Sequence, residues 1–465
     1  MKKRLNIALL ISICIVFLSS CGGKMKKNSD KTVDVDDAIE VYDYTYPLVI
    51  MGLSQDLMLD NPLRPKQKPN CLIKFKQLAQ PKNKAVVLGN RNTLYTVGWI
   101  DLSKGPVIFT FPDMGERYFV MPLIDAWTNT FKSIGSRTTG QGPKKYFLVN
   151  DSFKGDTPSG FEKIVCPTNM VWITGRIQAD NDDDAKKAAM LQDKYVVMTY
   201  QEYNGGENPF KTWKAQYSAL KVRKPVPYTL KMSAKEYYDL FLKMFANNQT
   251  FSFDTEMVKL LGKFGVERGK TLSFDQLSST SKKVLTDGLV AQQKIYLEAF
   301  YKGSSQKKPW IFDTTEMGVW GDNYKKRAYW AMWGLGANLV EDAVYGVTQL
   351  DSDMKSLDGG KVYVIHFDKG GEPDVGAFWS ITTYNIEGYL EKNSENRYAS
   401  GSNMPLKYNK DGSLDLYMSF KKPKGVAEYN WIPAPQKEFK ILFRMYWPKE
   451  SVLDGTWKLP SVVQK

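Results

Sequence analysis

What most limits the fold of this chain is the order of its hydrophobic patterns. Short runs rich in β-branched and aromatic residues occupy positions 85–200 and return over 358–460, and between them, over 230–345, the spacing turns helical. Val107-Ile108-Phe109-Thr110-Phe111, Tyr118-Phe119-Val120-Met121, Tyr146-Phe147-Leu148-Val149 and Met170-Val171-Trp172-Ile173 are strand-length runs separated by Gly, Pro, Asn and Asp. Short strands with turn signals between them suggest a sandwich or barrel. In the middle block, Ser233 and Glu236 fit a capping box before Tyr237, Leu240, Phe241, Met244 and Phe245. Leu285, Leu289, Ile295 and Phe300 predict a second helix, and a third is predicted over Arg327 to Val340. Further on, Val362 to Phe367 reads as a strand. Asp411-Gly412 is a hairpin signal before the alternating Leu414, Leu416, Met418 and Phe420. Phe439, Ile441, Phe443 and Met445 alternate with Lys440, Leu442 and Arg444, which predicts one face in and one less so.

The N-terminus reads as an export signal. Met1 to Arg4 are basic, Leu5 to Leu18 are almost wholly apolar, and Leu18-Ser19-Ser20-Cys21 follows. The apolar run is too short to span a bilayer, which needs about 20 residues. The ending resembles the bacterial lipobox, in which the cysteine is lipidated. Several acyl chains, at about 0.8 kcal/mol per buried methylene, would anchor the chain stably. Gly22, rather than an acidic residue, follows the cysteine, and by resemblance to lipoprotein sorting signals this favours the outer membrane over the inner and leaves the face open; the expectation is an outer-membrane lipoprotein facing the periplasm. The expected division is a signal peptide over 1–20, a flexible tether over 21–32 and a helical segment over 33–70. A sandwich domain over 71–225, a helical region over 226–345 and a second sandwich over 346–465 complete it.

The formal charge is +14, and part of it sits in the tether at Lys24, Lys26, Lys27 and Lys31. Those lysines suit anionic headgroups, so a membrane is an expected partner and nucleic acid is not. Of the four cysteines, Cys14 leaves with the signal and Cys21 takes lipid. Cys71 and Cys166 remain as a possible disulfide in a compartment where disulfides persist, and geometry decides whether they pair.

The stretches Gly89-Asn90-Arg91-Asn92-Thr93-Leu94-Tyr95, Asp101-Leu102-Ser103-Lys104-Gly105-Pro106, Glu116-Arg117-Tyr118, Asp125-Ala126-Trp127-Thr128-Asn129 and Gly135-Ser136-Arg137-Thr138-Thr139-Gly140 resemble domain-of-unknown-function family 1254. Phe378-Trp379-Ser380-Ile381-Thr382-Thr383-Tyr384, Asn396-Arg397-Tyr398, Asp411-Gly412-Ser413-Leu414, Asn430-Trp431-Ile432-Pro433-Ala434-Pro435 and Arg444-Met445-Tyr446-Trp447-Pro448 resemble family 1214. The resemblance implies a mainly β chain with a helical portion: an immunoglobulin-like sandwich, helices, and a C-terminal jelly-roll-like sandwich. It carries no reaction. The run Asn90-Arg91-Asn92-Thr93 departs from the family, which often has an Asn-x-Asp-Thr run here.

Familiar catalytic patterns are scarce. His366 is the sole histidine, so a two-histidine zinc motif is impossible; it reads as a half-buried strand residue with a hydrogen-bond partner. Gly265 to Thr271 has the wrong glycine spacing for a phosphate loop. Asp180 to Asp184 lacks the Gly and Glu of a calcium loop and reads as an acidic helix start. No metal and no cofactor are expected. The remaining ligand-binding candidates are Tyr118, Asp125, Arg137, Trp379, Tyr384, Arg397, Asn430, Trp431 and Arg444. Arginine forks carboxylates or phosphates, and the aromatic residues could stack on a sugar. The leading expectation is a binding or scaffolding lipoprotein for a small-molecule or carbohydrate ligand, with a homo-oligomer left open. The alternative is a hydrolase or lyase built on carboxylates and Arg, acting on an envelope polysaccharide or small organic acid.

Overall fold

The computed structural model describes residues 33–61, 66–84, 87–217, 219–302, 306 and 308–465. The expected signal peptide, Cys21 and the tether lie outside them. The first element is α1 (Val35–Leu59), capped reciprocally by Asp34 and Asp37. It is apolar on every side and buried along most of its length, which makes it a central rather than a surface helix. Tyr42 and Tyr46 pack against Tyr237 and Tyr296, while Tyr44 turns the other way onto Trp127 and Tyr324.

The first sandwich follows. Its strands are β1 (Cys71–Lys74), β2 (Thr93–Asp101), β3 (Val107–Phe111), β4 (Phe119–Asp125), β5 (Thr130–Gly135), β6 (Lys144–Asn150), β7 (Glu162–Cys166), β8 (Met170–Gln178) and β9 (Val196–Thr199). One sheet runs β1-β2-β8-β4-β5 and the other β7-β6-β3-β9. Helix α2 (Asp182–Asp193) interrupts them; its N-cap is Asn181, and three aspartates sit in its first turn, as the acidic run predicts. Cys71 lies on edge strand β1, beside β9, and Cys166 lies on β7 at the opposite edge. Both thiols are therefore free, which corrects the possible pairing.

Helices fill the middle of the chain: the short α3 (Tyr200–Tyr203), α4 (Ala219–Val222) and α5 (Pro225–Thr229), then α6 (Ala234–Asn247), α7 (Thr255–Lys263) and α8 (Ser279–Lys302). Ser233 caps α6 through the box with Glu236, as its sequence predicts. Helix α8 lies close against α1 because Gly288 meets Ala38; a Cβ there would stand 2.5 Å from that of Ala38. The two-residue β10 (Ile311–Phe312) is too short to leave a periodic signal. Helix α9 (Tyr324–Trp333) stops well before the expected Val340, because Gly334 follows at once and Gly336 takes φ +85°. Among the described residues, no helix is long and apolar enough to cross a membrane.

The second sandwich contains β11 (Ala343–Thr348), β12 (Tyr363–Phe367), β13 (Trp379–Asn385), β14 (Ala399–Gly401), β15 (Leu414–Ser419), β16 (Trp431–Pro433) and β17 (Phe439–Tyr446), then the short α10 (Glu450–Leu453) and β18 (Val462–Gln464). Its sheets run β10-β11-β17-β13-β14 and β16-β15-β12-β18. The chain is thus mainly β with a helical portion, as expected. Asp411-Gly412 does turn, with Gly412 at φ +88°, but it makes no two-strand hairpin: β15 pairs with the distant β12. Strand β17 is buried on both faces. Ile441, Phe443 and Met445 enter the core of their own sandwich, while Leu442 and Tyr446 enter apolar clusters outside it. The alternation is real, but the second face meets another domain instead of water.

Candidate functional site

The two five-stranded sheets face each other. Tyr118 and Val120 of the first pack on Ala343, Phe378 and Tyr446 of the second. Period-two alternation puts Tyr95 and Arg176, directly paired across β2 and β8, on the outer face of the first sheet. The same rule puts Tyr345 and Arg444, paired across β11 and β17, on the facing sheet. Arg176 lies over the Tyr95 ring at 5.3 Å, and Arg444 over the Tyr384 ring at 5.8 Å.

The hydrogen bonds here hold side chains apart from any counter-ion. Arg176 Nη1 donates to Thr174 O at 2.9 Å and Asn338 Oδ1 at 2.8 Å. Arg444 donates to Thr382 Oγ1 at 3.0 Å, Leu88 O at 2.7 Å and the Tyr384 hydroxyl at 2.9 Å. Tyr384 in turn donates to Gly89 O at 2.6 Å. Tyr345 accepts from Asn338, and Tyr446 from Asn90. Among the described residues, neither guanidinium meets a carboxylate. Burial disfavours charge on both arginines, but the tyrosines around them hold the guanidinium pKa values above the usual range. Both cations act on Tyr345 and on Tyr446, so they converge on one place. Burial likewise pushes the Tyr345, Tyr384 and Tyr446 hydroxyls up. Yet Tyr95, Arg176 and Tyr345 are only half-buried. Arg176 and Tyr345 are thus desolvated yet still reached by solvent at the seam between the two sheets.

Of the nine residues singled out from sequence, Tyr384 and Arg444 belong to this seam. Tyr118 and Arg137 belong to its surround: the Tyr118 hydroxyl donates to Asp342 O at 3.1 Å, and Arg137 Nε pairs with Asp342 Oδ1 at 2.7 Å. The other five lie elsewhere. Trp379 is core of the second sandwich. Asn430 ties Lys407 to Asp415 through their backbones, and Trp431 donates to Ser419 O. Arg397 bonds Glu428 and Trp431 O at 3.0 and 3.1 Å. Asp125 closes its own turn, accepting from the backbones of Trp127 and Asn129 and from the Asn129 amide; burial pushes it up to about 6. These residues do not converge, because alternation along their strands sends them into separate cores and corners. Arg91, within the run that departs from the family, bonds Ala79 O and lies over Tyr398. Arg176, Tyr95, Tyr345 and Tyr446 were missed as site residues. The available signal was an arginine inside a strand of otherwise apolar and β-branched residues, as at Arg176.

His366 is exposed, not half-buried, and faces Asp415 across β12 and β15 at 2.7 Å. That hydrogen bond raises the imidazole pKa, and Asp368 adds to it. Asp415 is held below the usual range although burial opposes this, His366 and Asn409 being its partners. The pair therefore contributes stability between the two midpoints, lost below that of Asp415 and lost as pH rises through that of His366. Being exposed, it is worth about 0–1 kcal/mol. Since His366 is the only histidine, its proton resonances should titrate above the free-imidazole midpoint, and Asp415→Asn should bring that midpoint down.

Fold and site together define a two-sandwich protein with two arginines set among tyrosines at the seam where its domains meet. Residues 69–199 match the family described as "Protein of unknown function (DUF1254)" and residues 342–450 the family "Protein of unknown function (DUF1214)"; the chain carries these two domains as a pair. Its structure is similar to that of the VPA0106 protein from Vibrio parahaemolyticus, at 24% identity over 93% of this chain and 100% of that one, with a TM-score of 0.72. This is a likeness of fold. A putative uncharacterized protein from Burkholderia cenocepacia aligns at 9% identity over 91% of this chain and 87% of that one, with a TM-score of 0.43. No curated protein matches the chain.

Proposed function

We propose that this is a membrane-anchored envelope lipoprotein that binds a small organic acid or phosphate in the cleft between its sandwiches. The observation that carries the reading is the pair Arg176 and Arg444, two permanent cations converging in a desolvated place with no carboxylate partner. Buried charge is costly unless paired. A planar anion would accept from both forks, and the tyrosine hydroxyls around it could complete its hydrogen bonds. Ligand sites commonly lie at such domain junctions. A carboxylate-based hydrolase or lyase needs acids facing its substrate, and this cleft presents cations and phenols.

A thermal-shift panel of carboxylates, phosphates and neutral analogues tests the binding. Saturation at 100 times Kd should add about 2.7 kcal/mol of stability. Arg176→Met should abolish the shift and lower the unliganded melting temperature only modestly, since Met keeps the packing of the stem while the buried Asn338 Oδ1 loses its donor. A panel without any anion response, or a response that survives Arg176→Met and Arg444→Met together, overturns the reading. The anchor is tested separately: mass spectrometry should find acyl chains on Cys21, and Cys21→Ser should release the protein from membranes.

A further inference from the structure

A second hollow, of about 340 Å³, lies where the helical layer meets the first sandwich, away from the arginine cleft. The end of α1 supplies Gln55 and Asp56. The end of β2 and its turn supply Asp101 and Lys104, and the segment after α3 supplies Phe210 and Trp213. The volume is at the small end of the range for ligand pockets.

The lining has a definite chemistry. Asp56 is buried, and one of its oxygens accepts from the backbones of Gln216 and Tyr217 at 3.0 and 2.9 Å. Asp101 accepts from the Ser103 backbone at 2.8 Å. Burial pushes Asp56 up to about 6 and raises Asp101 as well. Two carboxyls that border the same hollow, each with acceptor capacity left, call for donors. The lysines Lys104, Lys214 and Lys243 around the hollow argue against a cationic donor. Neutral hydroxyl donors meet both conditions. Trp213, half-buried, adds an aromatic face on which the C–H face of a sugar ring can lie, while the buried Phe210 ring is already covered by Lys104 Nζ at 5.0 Å.

We propose that this hollow is a saccharide-binding site, with Trp213 as the stacking platform and Asp56 and Asp101 as hydroxyl acceptors. It is separate from the anion cleft and does not depend on it. Asp56 also ties down the 216–217 backbone, so its replacement would disturb the fold; Trp213 and Asp101 are the informative positions.

Ligand-observed saturation-transfer NMR on the intact chain, with N-acetylglucosamine, its β-1,4-linked dimer, galacturonate and putrescine as probes, decides the matter. At least one saccharide should give transfer. Trp213→Ala should weaken its affinity ten-fold or more, and Asp101→Asn should weaken it less, with far-UV circular dichroism unchanged in both. Arg176→Met should leave this binding intact. No transfer to any saccharide, transfer to putrescine alone, or saccharide binding untouched by Trp213→Ala each overturns the assignment.

Discussion

Replacing Arg327 with alanine is expected to destabilise the protein by about 3–5 kcal/mol, seen as a lower urea midpoint. Arg327 on α9 is wholly buried, and none of its three guanidinium nitrogens has a hydrogen-bond partner. It is held by ring faces instead: Tyr324 at 5.0 Å, Tyr44 at 5.3 Å and Trp127 at 5.4 Å from its central carbon. Each such contact contributes about 0.5–2 kcal/mol. The nitrogens are closed off from solvent, so this is a packed cage rather than a ligand site. Its positive charge also opposes the raised carboxyl pKa values of Asp125 and Asp254, which burial drives. The cage joins α1, the turn after β4 and α9, so its loss should loosen the contact between the helices and the first sandwich. Arg327→Met keeps most of the volume and should recover much of the loss. Equal damage from Ala and Met would mean that the charge, and not the packing, is what the site needs.

Arg137→Ala is the second large effect, with an expected cost of about 3 kcal/mol or more. Arg137 is half-buried, but its partner Asp342 is only 1% exposed. Asp342 Oδ2 already lacks a hydrogen bond, so removing Arg137 would leave the whole carboxylate buried and unpaired. The carbonyl of Asp342 also receives the Tyr118 hydroxyl and the Trp447 backbone, which makes it a junction of the two sandwiches. Asp342→Asn in the Arg137→Ala background should restore part of the loss, because the stranded charge is gone. A cost below about 1 kcal/mol for Arg137→Ala would show the pair to behave as a surface ion pair.

These two arginines show how much the sequence could say about sites. Arg137 stands out through its motif, yet its role is to hold domains together. Arg327 is visible only as a residue near the start of an expected helix, and nothing local reveals that three rings from distant segments close around it. Arg444 reads both as a ligand residue and as a polar interruption of an alternating strand. It does interrupt the strand, and it is a ligand residue only in the function proposed above; its companion Arg176 comes from the other sandwich, 268 positions earlier by its number. Its cross-strand neighbour Tyr345 comes from β11, at the end of the stretch whose spacing reads as helical.

Local order was legible because it rests on local physics. Val107–Phe111 forms the strand that its side chains favour, Ser233 and Glu236 cap the helix that they announce, and the acidic run at Asp182 opens α2. The extent of α9 differs from expectation because Gly334 ends a helix that hydrophobic spacing alone would have continued. By itself the sequence determined the β-α-β order and the places of seven strands, β3, β4, β6, β8, β12, β15 and β17, since those follow from propensity and period. Only the tertiary structure decided which apolar faces meet: that α1 becomes the centre of the helical layer, that Cys71 and Cys166 stand at opposite edges, and that two arginines meet at one seam. Those outcomes depend on sheet order and domain docking, which pair residues hundreds of positions apart and leave no periodic trace along the chain.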